Sequence, residues 1–499
     1  MNIVMTLEMA ADCHPDRIGV TCGERSLRYA ELLQAARRAA GHIRASGCAH
    51  VGLLDVNSLA APIALYGAAY AGVPFVPLNY RLTPAEIGAL LVRIAPAWLV
   101  ADPQLLASVQ VPAGVRVVTR DEFLALAAKG EPADAQADPT AIAVQLFTSG
   151  TTGAPKAAVL RHENLMSYIL GTVEFGGAGE EEATLVAVPP YHIAGISAVL
   201  SSTYAGRRMV QLPNFDGRAW LELCRREGVT NAFVVPTMLA RVIEHIDTTG
   251  AAAELPALKA LAYGGGKMPA QVIERAMQLW PHVDFTNAYG LTETSSTIAL
   301  LDPEGHRTGF SAQDPKVRKR LHSVGKPIDS VQIEIRDADG RAVPAGEAGD
   351  VFVRGAQVSG EYLGVGNLRD ADGWFPTRDR GYIDDYGFLY LDGRADDVIV
   401  RGGENISPGE VEDVLRLHPA VADVAVVAVH DEQWGEAVGA VIVARPGVAV
   451  QAAELQDWVR QRLRSSRVPA QVRFRADLPH NEMGKILRRV LRDEFAANG

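Results

Sequence analysis

The first hundred residues alternate short apolar runs with longer segments whose apolar residues recur at helical spacing. Three runs are typical of buried strands: His50–Val56, Pro74–Leu78 and Ala97–Ala101. Three segments between or before them are typical of helices: Leu27–Ser46, Leu65–Gly72 and Thr83–Ile94. Because strands that alternate with helices of this length form parallel sheets covered by helices, the pattern predicts layered α/β architecture.

Length and charge narrow the class of protein. A chain of 499 residues is longer than one hydrophobic core normally serves, so we expect two or more domains. The formal net charge of −11 argues against a general nucleic-acid binder, which needs a basic face. We therefore expect no nucleic-acid partner.

The cysteines and the first residues bear on the compartment. The four cysteines, Cys13, Cys22, Cys48 and Cys224, form no C-x-x-C pair, which favours free thiols in a reducing cytoplasm over a zinc site. The residues after Met1 contain no basic stretch typical of a signal peptide. No apolar run approaches the roughly 18 residues of a membrane span. The sequence leaves monomer and homodimer open.

A loop rich in glycine and hydroxyl groups follows the apolar run Ala141–Phe147. It contains Thr148, Ser149, Gly150, Thr151, Thr152 and Gly153, and then Pro155 and Lys156. Glycines let backbone N–H groups approach a ligand, and hydroxyls with a lysine suit phosphate oxygens. A mononucleotide P-loop does not fit, because Pro155 and Ala157 stand where that motif has Gly and Ser or Thr. The loop predicts triphosphate binding of another kind, with a surface turn as the alternative.

A second candidate motif runs from Asp284 to Glu293, where a predicted strand ends in a polar cluster. Tyr289 offers a flat face for a purine, Thr292 a donor to phosphate, and Glu293 an oxygen ligand for Mg²⁺. The alternative is a helix start, with Thr292 as cap and Glu293 in the first turn. The two interpretations are compatible with each other.

These two segments resemble the signature loop and the Tyr-Gly-x-Thr-Glu motif of the adenylate-forming superfamily, which includes acyl-CoA synthetases, peptide-synthetase adenylation domains and luciferases. Further segments match the family in order: Pro189–Gly195, Trp374–Tyr382, Arg401–Pro408 and Leu478–Arg489. The chain departs from the family pattern at Ala157, Ala288 and Arg378, where glycine is usual. Since Arg378 lacks the freedom of glycine, we expect a local shift of the backbone there.

The resemblance implies a set of site residues. Lys485, Thr292, Glu293 and His192 would be catalytic, with Glu293 holding Mg²⁺. The ATP and AMP site would comprise Thr148, Ser149, Gly150, Thr151, Thr152, Gly153, Lys156, Gly264, Gly265, Asn287, Ala288, Tyr289, Thr292, Asp379, Arg394 and Lys485. The acyl pocket would comprise His192, Ile193, Ser197, Val235, Pro236, Gly264, Gly266 and Ala288. Coenzyme A would contact Arg401, Gly402, Gly403 and Glu404.

The resemblance also implies an organisation and a reaction. Residues 1–395 would form an N-terminal ATP- and acyl-binding domain of layered α/β subdomains with a small β-subdomain. Residues 396–499 would form a mobile α+β lid that carries Lys485, with Asp396 as the hinge. The expected reaction is adenylation of an apolar fatty or ring-containing carboxylic acid, followed by transfer to coenzyme A. Loading of a stand-alone carrier protein is the nearer alternative, and nucleotide binding without turnover the remote one.

The polar segment Glu304–His322 carries several charges of both signs. We expect it to be a solvated loop. Downstream, Val331–Arg336 and Asp350–Arg354 alternate apolar and polar residues, which predicts the strands of the small β-subdomain.

Overall fold

The computed structural model describes residues 1–135, 138–148, 155–394, 397–402, 404–480 and 486–497. Contacts divide the chain into two compact units. The larger unit comprises Met1–Gln332 and Val353–Phe375, and the smaller comprises Ile333–Phe352 and Pro376–Gly499. The predicted fold class, a large α/β region with a small C-terminal α+β domain, is confirmed by solved structures of the same fold. The predicted domain boundary at 395/396 stays a prediction.

A nine-stranded sheet forms one half of the larger unit. Its strands follow in the spatial order Lys326–Pro327, Ser296–Leu301, Asp284–Leu291, Ala260–Gly264, Asn231–Val234, Ala183–Val186, Arg208–Gln211, Ile18–Cys22 and Arg25–Arg28. The strands from Asp284–Leu291 to Ile18–Cys22 are mutually parallel, and those beyond them at both ends are antiparallel. The parallel strands therefore end at one common edge, where loops carry functional groups in such sheets.

An eight-stranded sheet forms the other half of the larger unit. Its spatial order is Gly366–Asn367, Glu361–Tyr362, Lys156–Arg161, Ile142–Thr148, Phe75–Pro77, His50–Leu54, Ala97–Ala101 and Val115–Thr119. The strands predicted near residues 50, 74 and 97 are all present and mutually parallel. This sheet places Glu361–Tyr362 beside the strand that begins at Lys156.

The helices of the larger unit are Val4–Cys13, Tyr29–Ser46, Ala60–Ala71, Pro84–Ile94, Pro103–Leu106, Arg120–Ala127, His162–Thr172, Ile193–Ala205, Gly217–Arg226, Pro236–Thr249, Ala270–Leu279, Pro303–Ser311 and Pro315–Arg318. Every residue of Ala60–Ala71 is buried, as its all-apolar composition predicts. The main core joins this helix to Val4–Cys13 and Tyr29–Ser46. No helix in the described ranges combines the length and the apolarity that crossing a membrane requires.

The prediction of a solvated loop at Glu304–His322 is wrong. Most of this segment is helical: Pro303–Ser311, Pro315–Arg318 and a 3₁₀ turn at Lys319–His322. Asp302 accepts a hydrogen bond from Gly305 N and Asp314 accepts one from Lys316 N, so each helix has a capping carboxylate followed by proline. Those start signals outweigh the polar composition, and the first helix buries His306 fully.

Two sheets contain the strands of the smaller unit and of the residues at its boundaries. The first contains Val331–Arg336, Gly349–Gly355, Phe375–Ile383 and Leu389–Arg394. The second contains Glu404–Ile406, Ile399–Arg401, Gly435–Ala444, Val421–Asp431 and Gln471–Arg475. Its helices are Pro408–Arg416, Ala452–Arg460 and Arg488–Ala497. Apolar residues on both faces of Val421–Asp431 and Gly435–Ala444 contact separate clusters, which makes this sheet the buried centre of the unit.

Candidate active site

Four neighbouring parallel strands of the nine-stranded sheet deliver the predicted pocket residues to one edge. His192 follows Ala183–Val186, Pro236 follows Asn231–Val234, and Gly265 follows Ala260–Gly264. Ala288 to Glu293 complete the row at the end of Asp284–Leu291. Ligands of open α/β sheets bind outside the carboxyl ends of the strands, so the topology makes this edge a candidate pocket.

The three glycines after Ala260–Gly264 have different roles. A Cβ atom on Gly264 would lie 2.2 Å from Ala288 O, so the close approach at this position is to the neighbouring strand. Gly265 has a φ of +80°, which favours glycine. Gly266 has ordinary space around it, with Pro236 as its neighbour. The glycines therefore permit tight strand pairing and a turn, which the sequence could not separate from close approach to a ligand.

A buried pair behind this edge was missed by sequence analysis. His306 Nδ1 lies 2.8 Å from Asp302 O, and Tyr263 Oη lies 2.8 Å from His306 Nε2. Because a carbonyl only accepts, Nδ1 donates, and Nε2 accepts from the tyrosine hydroxyl. Burial lowers the pKa of His306 to about 4, so the ring is neutral near pH 7. The pair anchors the strand that leads into the glycines, and the Asp302-Pro303 helix start is the signal that could have found it.

The strand Asp284–Leu291 turns Asn287 and Tyr289 towards a buried face and leaves Ala288 half-buried between them. Asn287 Nδ2 donates to Ser323 O at 3.0 Å. This amide therefore braces a neighbouring loop, a role that the motif alone does not reveal. Ala288 pairs in register with Gly264, so the two residues lie side by side at the same edge of the sheet.

Glu293 occupies a single 3₁₀ turn, Thr292–Thr294, directly after the strand. Its side chain is buried and accepts a hydrogen bond from the Tyr362 hydroxyl. Its backbone oxygen accepts from Ser359 N at 2.9 Å and Gly360 N at 3.2 Å. No α-helix begins at Thr292 in the described chain, since the next element is the strand Ser296–Leu301. The alternative interpretation is therefore confirmed only in part: a three-residue 3₁₀ helix begins at Thr292 with Glu293 in its first turn, but the cap residue is Leu291 and not Thr292.

Lys156 and Thr148 pair across the two strands that flank the glycine-rich loop. Thr148 Oγ1 donates to Lys156 O at 3.3 Å. Lys156 Nζ lies 5.7 Å from the centre of the Tyr362 ring, whose hydroxyl bonds Glu293. One tyrosine thus joins the lysine of the first motif to the carboxylate of the second. Tyr362 was missed by sequence analysis, because its link to both motifs is made through space.

His192 lies immediately before the helix Ile193–Ala205, with its ring centre 4.4 Å from that of Tyr191. Its Nε2 is shielded from solvent and has no hydrogen-bond partner among the described residues, and the same holds for Ser197 Oγ. Burial, with a smaller effect of Arg81, lowers the pKa of His192 to about 3. A neutral imidazole and a hydroxyl therefore each place a shielded polar atom at this end of the edge, and Val235, which follows the neighbouring strand, is buried.

In the smaller unit Asp379 and Arg394 face each other on paired strands. Arg394 Nε lies 3.0 Å from Asp379 Oδ1, and Arg394 Nη1 donates to Thr377 O at 3.1 Å. Arg378, which lies between Thr377 and Asp379 in the chain, has a φ of +62°. The arginine thus adopts a left-handed conformation, which favours glycine, and the expected shift of the backbone relative to the family stays a prediction.

The described residues of the predicted coenzyme A segment contact other residues of the smaller unit. A Cβ atom on Gly402 would lie 2.6 Å from Trp434 Cε3, and Gly402 N donates to Trp434 O at 2.9 Å. The Arg401 guanidinium lies 5.5 Å from the Trp434 ring centre. Glu404 is ion-paired with Arg467, whose hydrogen bond lowers the pKa of that carboxyl. Trp434 and Arg467 were not predicted, because both reach this segment from distant parts of the chain.

Several predicted residues lie outside the described residues: Ser149, Gly150, Thr151, Thr152, Gly153, Asp396, Gly403 and Lys485. Their roles stay predictions. Among the residues that are described, no group of three or more His, Cys, Asp or Glu side chains could hold a metal ion. A single carboxylate such as Glu293 nevertheless fits Mg²⁺, which proteins bind through one or two carboxylates together with substrate phosphates.

Comparison with known proteins identifies the family. Residues 7–363 match the model of the AMP-binding enzyme family, and residues 410–485 match the AMP-binding enzyme C-terminal domain. The chain is 32% identical to the fatty acid–[acyl-carrier-protein] ligase ScoC of Streptomyces coeruleorubidus over 99% of this chain and 96% of the relative. It is 32% identical to a feruloyl-CoA synthase of an Amycolatopsis species over 96% of each chain. The o-succinylbenzoate CoA synthetase of Bacillus subtilis, solved with an acyl-adenylate intermediate, superposes with a TM-score of 0.84 at 30% identity over 98% of both chains. The chain therefore belongs to the AMP-binding, adenylate-forming family of enzymes.

Proposed function

We propose that the protein is an ATP-dependent carboxylic acid–CoA ligase that works through an acyl-adenylate and produces AMP and pyrophosphate. The observation that carries the proposal is the row of segments at the carboxyl edge of four adjacent parallel strands, which ends at Glu293. An apolar segment with a neutral histidine lies at one end of this row and a buried carboxylate at the other. Such an edge suits a ligand with an apolar acid at one end and a phosphate at the other.

In the first step a carboxylate oxygen of the acid attacks the α-phosphorus of ATP, and the bond to the pyrophosphate oxygen breaks. Negative charge gathers on the phosphate oxygens, so catalysis is mainly positioning and electrostatic stabilisation. Lys156, the hydroxyls from Thr148 to Thr152 and Lys485 supply donors and positive charge. Glu293 would hold the Mg²⁺ that pairs with the phosphates. Tyr362 keeps the Glu293 carboxylate in place through its hydroxyl.

The acid pocket favours an apolar acid. His192 is neutral, so it can contact the acid by hydrogen bonding and shape but cannot provide a permanent ion pair. Val235 and Pro236 add buried apolar surface. The relatives that act on ferulate and on o-succinylbenzoate support a ring-containing acid, and ScoC supports a fatty acid. We assign the substrate class as apolar fatty or ring-containing carboxylic acids.

In the second step a thiolate attacks the carbonyl carbon of the acyl-adenylate, and AMP leaves with its phosphate oxygen. Arg401, Gly402, Gly403 and Glu404 would line the path of the coenzyme A thiol. Rotation of the lid about Asp396 would remove Lys485 and admit that thiol. A carrier protein is the second candidate acceptor, favoured by the similarity to ScoC. We place the enzyme in the cytoplasm, because its four free cysteines fit a reducing compartment.

The test is pyrophosphate release from ATP with a panel of linear and ring-containing acids, without a thiol acceptor. We expect release that depends on the acid, and the absence of any acid-dependent release would favour nucleotide binding without turnover. Coenzyme A and a holo-carrier protein are then compared as acceptors with the best acid. Thioester on the carrier alone would replace the coenzyme A proposal by the carrier-loading alternative.

A further inference from the structure

The turn that carries Glu293 has an unusual backbone. Ser295 has a φ of +56° and Ser296 a φ of +119°, so two successive residues with side chains lie outside the regions that L-amino acids prefer. A Cβ atom on Gly290 would lie 1.8 Å from Ser296 O, so the turn also presses closely on the preceding strand. Backbone strain of this kind persists only where the surrounding structure determines it.

Gln357 fixes the backbone of this turn. Its side chain is fully buried, and its Nε2 donates to Thr294 O at 3.1 Å and to Thr297 O at 2.8 Å. Its Oε1 accepts from Ser330 Oγ at 2.8 Å, and its backbone oxygen accepts from Ser295 Oγ at 2.8 Å. Both amide hydrogens are used by carbonyls, which only accept, so the orientation of the amide is fixed.

The residues after Gln357 continue the same contact. Ser359 N and Gly360 N donate to Glu293 O, and the Tyr362 hydroxyl donates to the Glu293 carboxylate. Gln357 therefore begins a segment that holds the turn on both sides of the strained residues and at the carboxylate itself. Without Gln357 the carbonyls of Thr294 and Thr297 would each lose a donor, and the turn between them could relax towards an unstrained backbone.

We propose that Gln357 is a positioning residue, which holds Glu293 where its carboxylate can share Mg²⁺ with the nucleotide. This inference rests on the proposed function, because it takes Glu293 as the metal ligand. It adds a residue outside the segments that the sequence analysis matched to the family, and it gives a reason for the strained turn. Gln357 acts through the turn and does not itself touch the substrate.

The test uses the full chain with Gln357→Met, which keeps the volume of the side chain and removes its donors. ATP affinity is measured by calorimetry with and without Mg²⁺, alongside pyrophosphate release as Mg²⁺ is varied. We expect the gain in ATP affinity from Mg²⁺ to fall about tenfold, while affinity for metal-free ATP stays within a factor of two and the Mg²⁺ requirement of the reaction rises.

Thr230→Val is the matched control. Thr230 is buried and bonds Ala183 N and O at the opposite edge of the same sheet, so its loss destabilises the unit without reaching the turn. The double variant Gln357→Met/Ser296→Gly tests the mechanism, since glycine tolerates a φ of +119° without a brace. We expect it to recover most of the Mg²⁺ effect. Should Gln357→Met fail to fold, Gln357→Asn, which is too short to reach both carbonyls, replaces it, and we expect a smaller loss of the same kind.

The possible results distinguish a failure of the positioning role of Gln357 from a failure of the metal role of Glu293. If the natural protein gains no ATP affinity from Mg²⁺, the metal role of Glu293 fails, and the inference fails with it. If the natural protein gains affinity and Gln357→Met, or Gln357→Asn in its place, behaves like Thr230→Val, only the positioning role of Gln357 is overturned. A loss in the Gln357 variant that the added Ser296→Gly substitution does not restore would also overturn it.

Discussion

A residue with a strained backbone lies within three positions of a carboxylate that the family motifs single out, once in each unit. Ser296 lies three residues after Glu293 with a φ of +119°, and Arg378 immediately precedes Asp379 with a φ of +62°. Each costs about 1–3 kcal/mol of backbone strain. The turn that contains the first is bonded by the buried side chain of Gln357, whereas the second immediately precedes a strand pairing that begins at Asp379 with Arg394.

The comparison shows that a functional carboxylate can be held either by residues distant in sequence or by its own strand and the neighbouring one. At Glu293 the support comes from residues about sixty positions away and depends on a few hydrogen bonds. At Asp379 it comes from strand register and from Thr377, which bonds Val351 O at 2.8 Å and accepts from Asp379 N at 3.1 Å. We therefore expect the Glu293 turn to respond to single substitutions and the Asp379 strand to resist them.

The largest effect is expected from the carboxylate of the turn. Glu293→Gln keeps the size of the side chain and its bond to Tyr362 but removes the charge that would hold Mg²⁺. We expect the rate of adenylate formation to fall roughly 100-fold for every acid, with a higher Mg²⁺ requirement. Initial rates against Mg²⁺ measure this, and Glu361→Gln, beside the same tyrosine, is the control. An unchanged Mg²⁺ dependence would remove Glu293 from the metal site.

The carboxylate of the strand should matter through affinity. We propose, from the resemblance to the family, that the Asp379 carboxylate accepts hydrogen bonds from the ribose hydroxyls of the nucleotide. Asp379→Asn removes that carboxylate and its ion pair with Arg394. We expect ATP and AMP to bind roughly tenfold more weakly, about 1.4 kcal/mol, with the Mg²⁺ requirement unchanged. Equilibrium binding of AMP measures this. Equal affinity for AMP in the variant would contradict a ribose role for Asp379.

Thr377→Val tests whether the strand resists loss of its polar support. Thr377 is buried, so losing its two hydrogen bonds should cost about 1–3 kcal/mol of stability. Because the register of Asp379 with Arg394 remains, we expect AMP affinity to change by less than about 1 kcal/mol. Thermal unfolding and AMP binding are measured on the same sample. A large loss of affinity at unchanged stability would show that this strand, too, depends on one side chain.

The smallest effect compares glycine at the two strained positions. Ser296→Gly and Arg378→Gly both relieve strain, but each adds about 0.5–1 kcal/mol of entropy to the unfolded chain. Since +119° is farther from the region tolerated by side chains than +62°, we expect Ser296→Gly to stabilise and Arg378→Gly to be nearly neutral. Thermal unfolding of the two variants decides this. If Arg378→Gly stabilised the protein more than Ser296→Gly, the backbone at Ser296 would carry no strain that glycine could relieve.

Much of the fold and the identity of the family could be predicted because they depend on local patterns. The strand Ala97–Ala101 has the predicted bounds, and the helix predicted from Thr83 begins at Pro84 with Thr83 as its cap. The helix Pro303–Ser311 was missed because its polar surface hid its capping signals, and only its contact with the sheet shows that one face is buried.

The sequence by itself determined the alternation of strands and helices, the order of the motifs and the chemical types of the site residues. The tertiary structure decided which of these residues meet. Tyr362 contacts both Lys156 and Glu293, Gln357 supports the Glu293 turn, and Arg467 takes the carboxylate of Glu404. Periodicity and capping are encoded within a few residues, so they can be read along the chain. Contacts between residues tens to hundreds of positions apart depend on how the sheets close and on strand register, which local sequence does not specify.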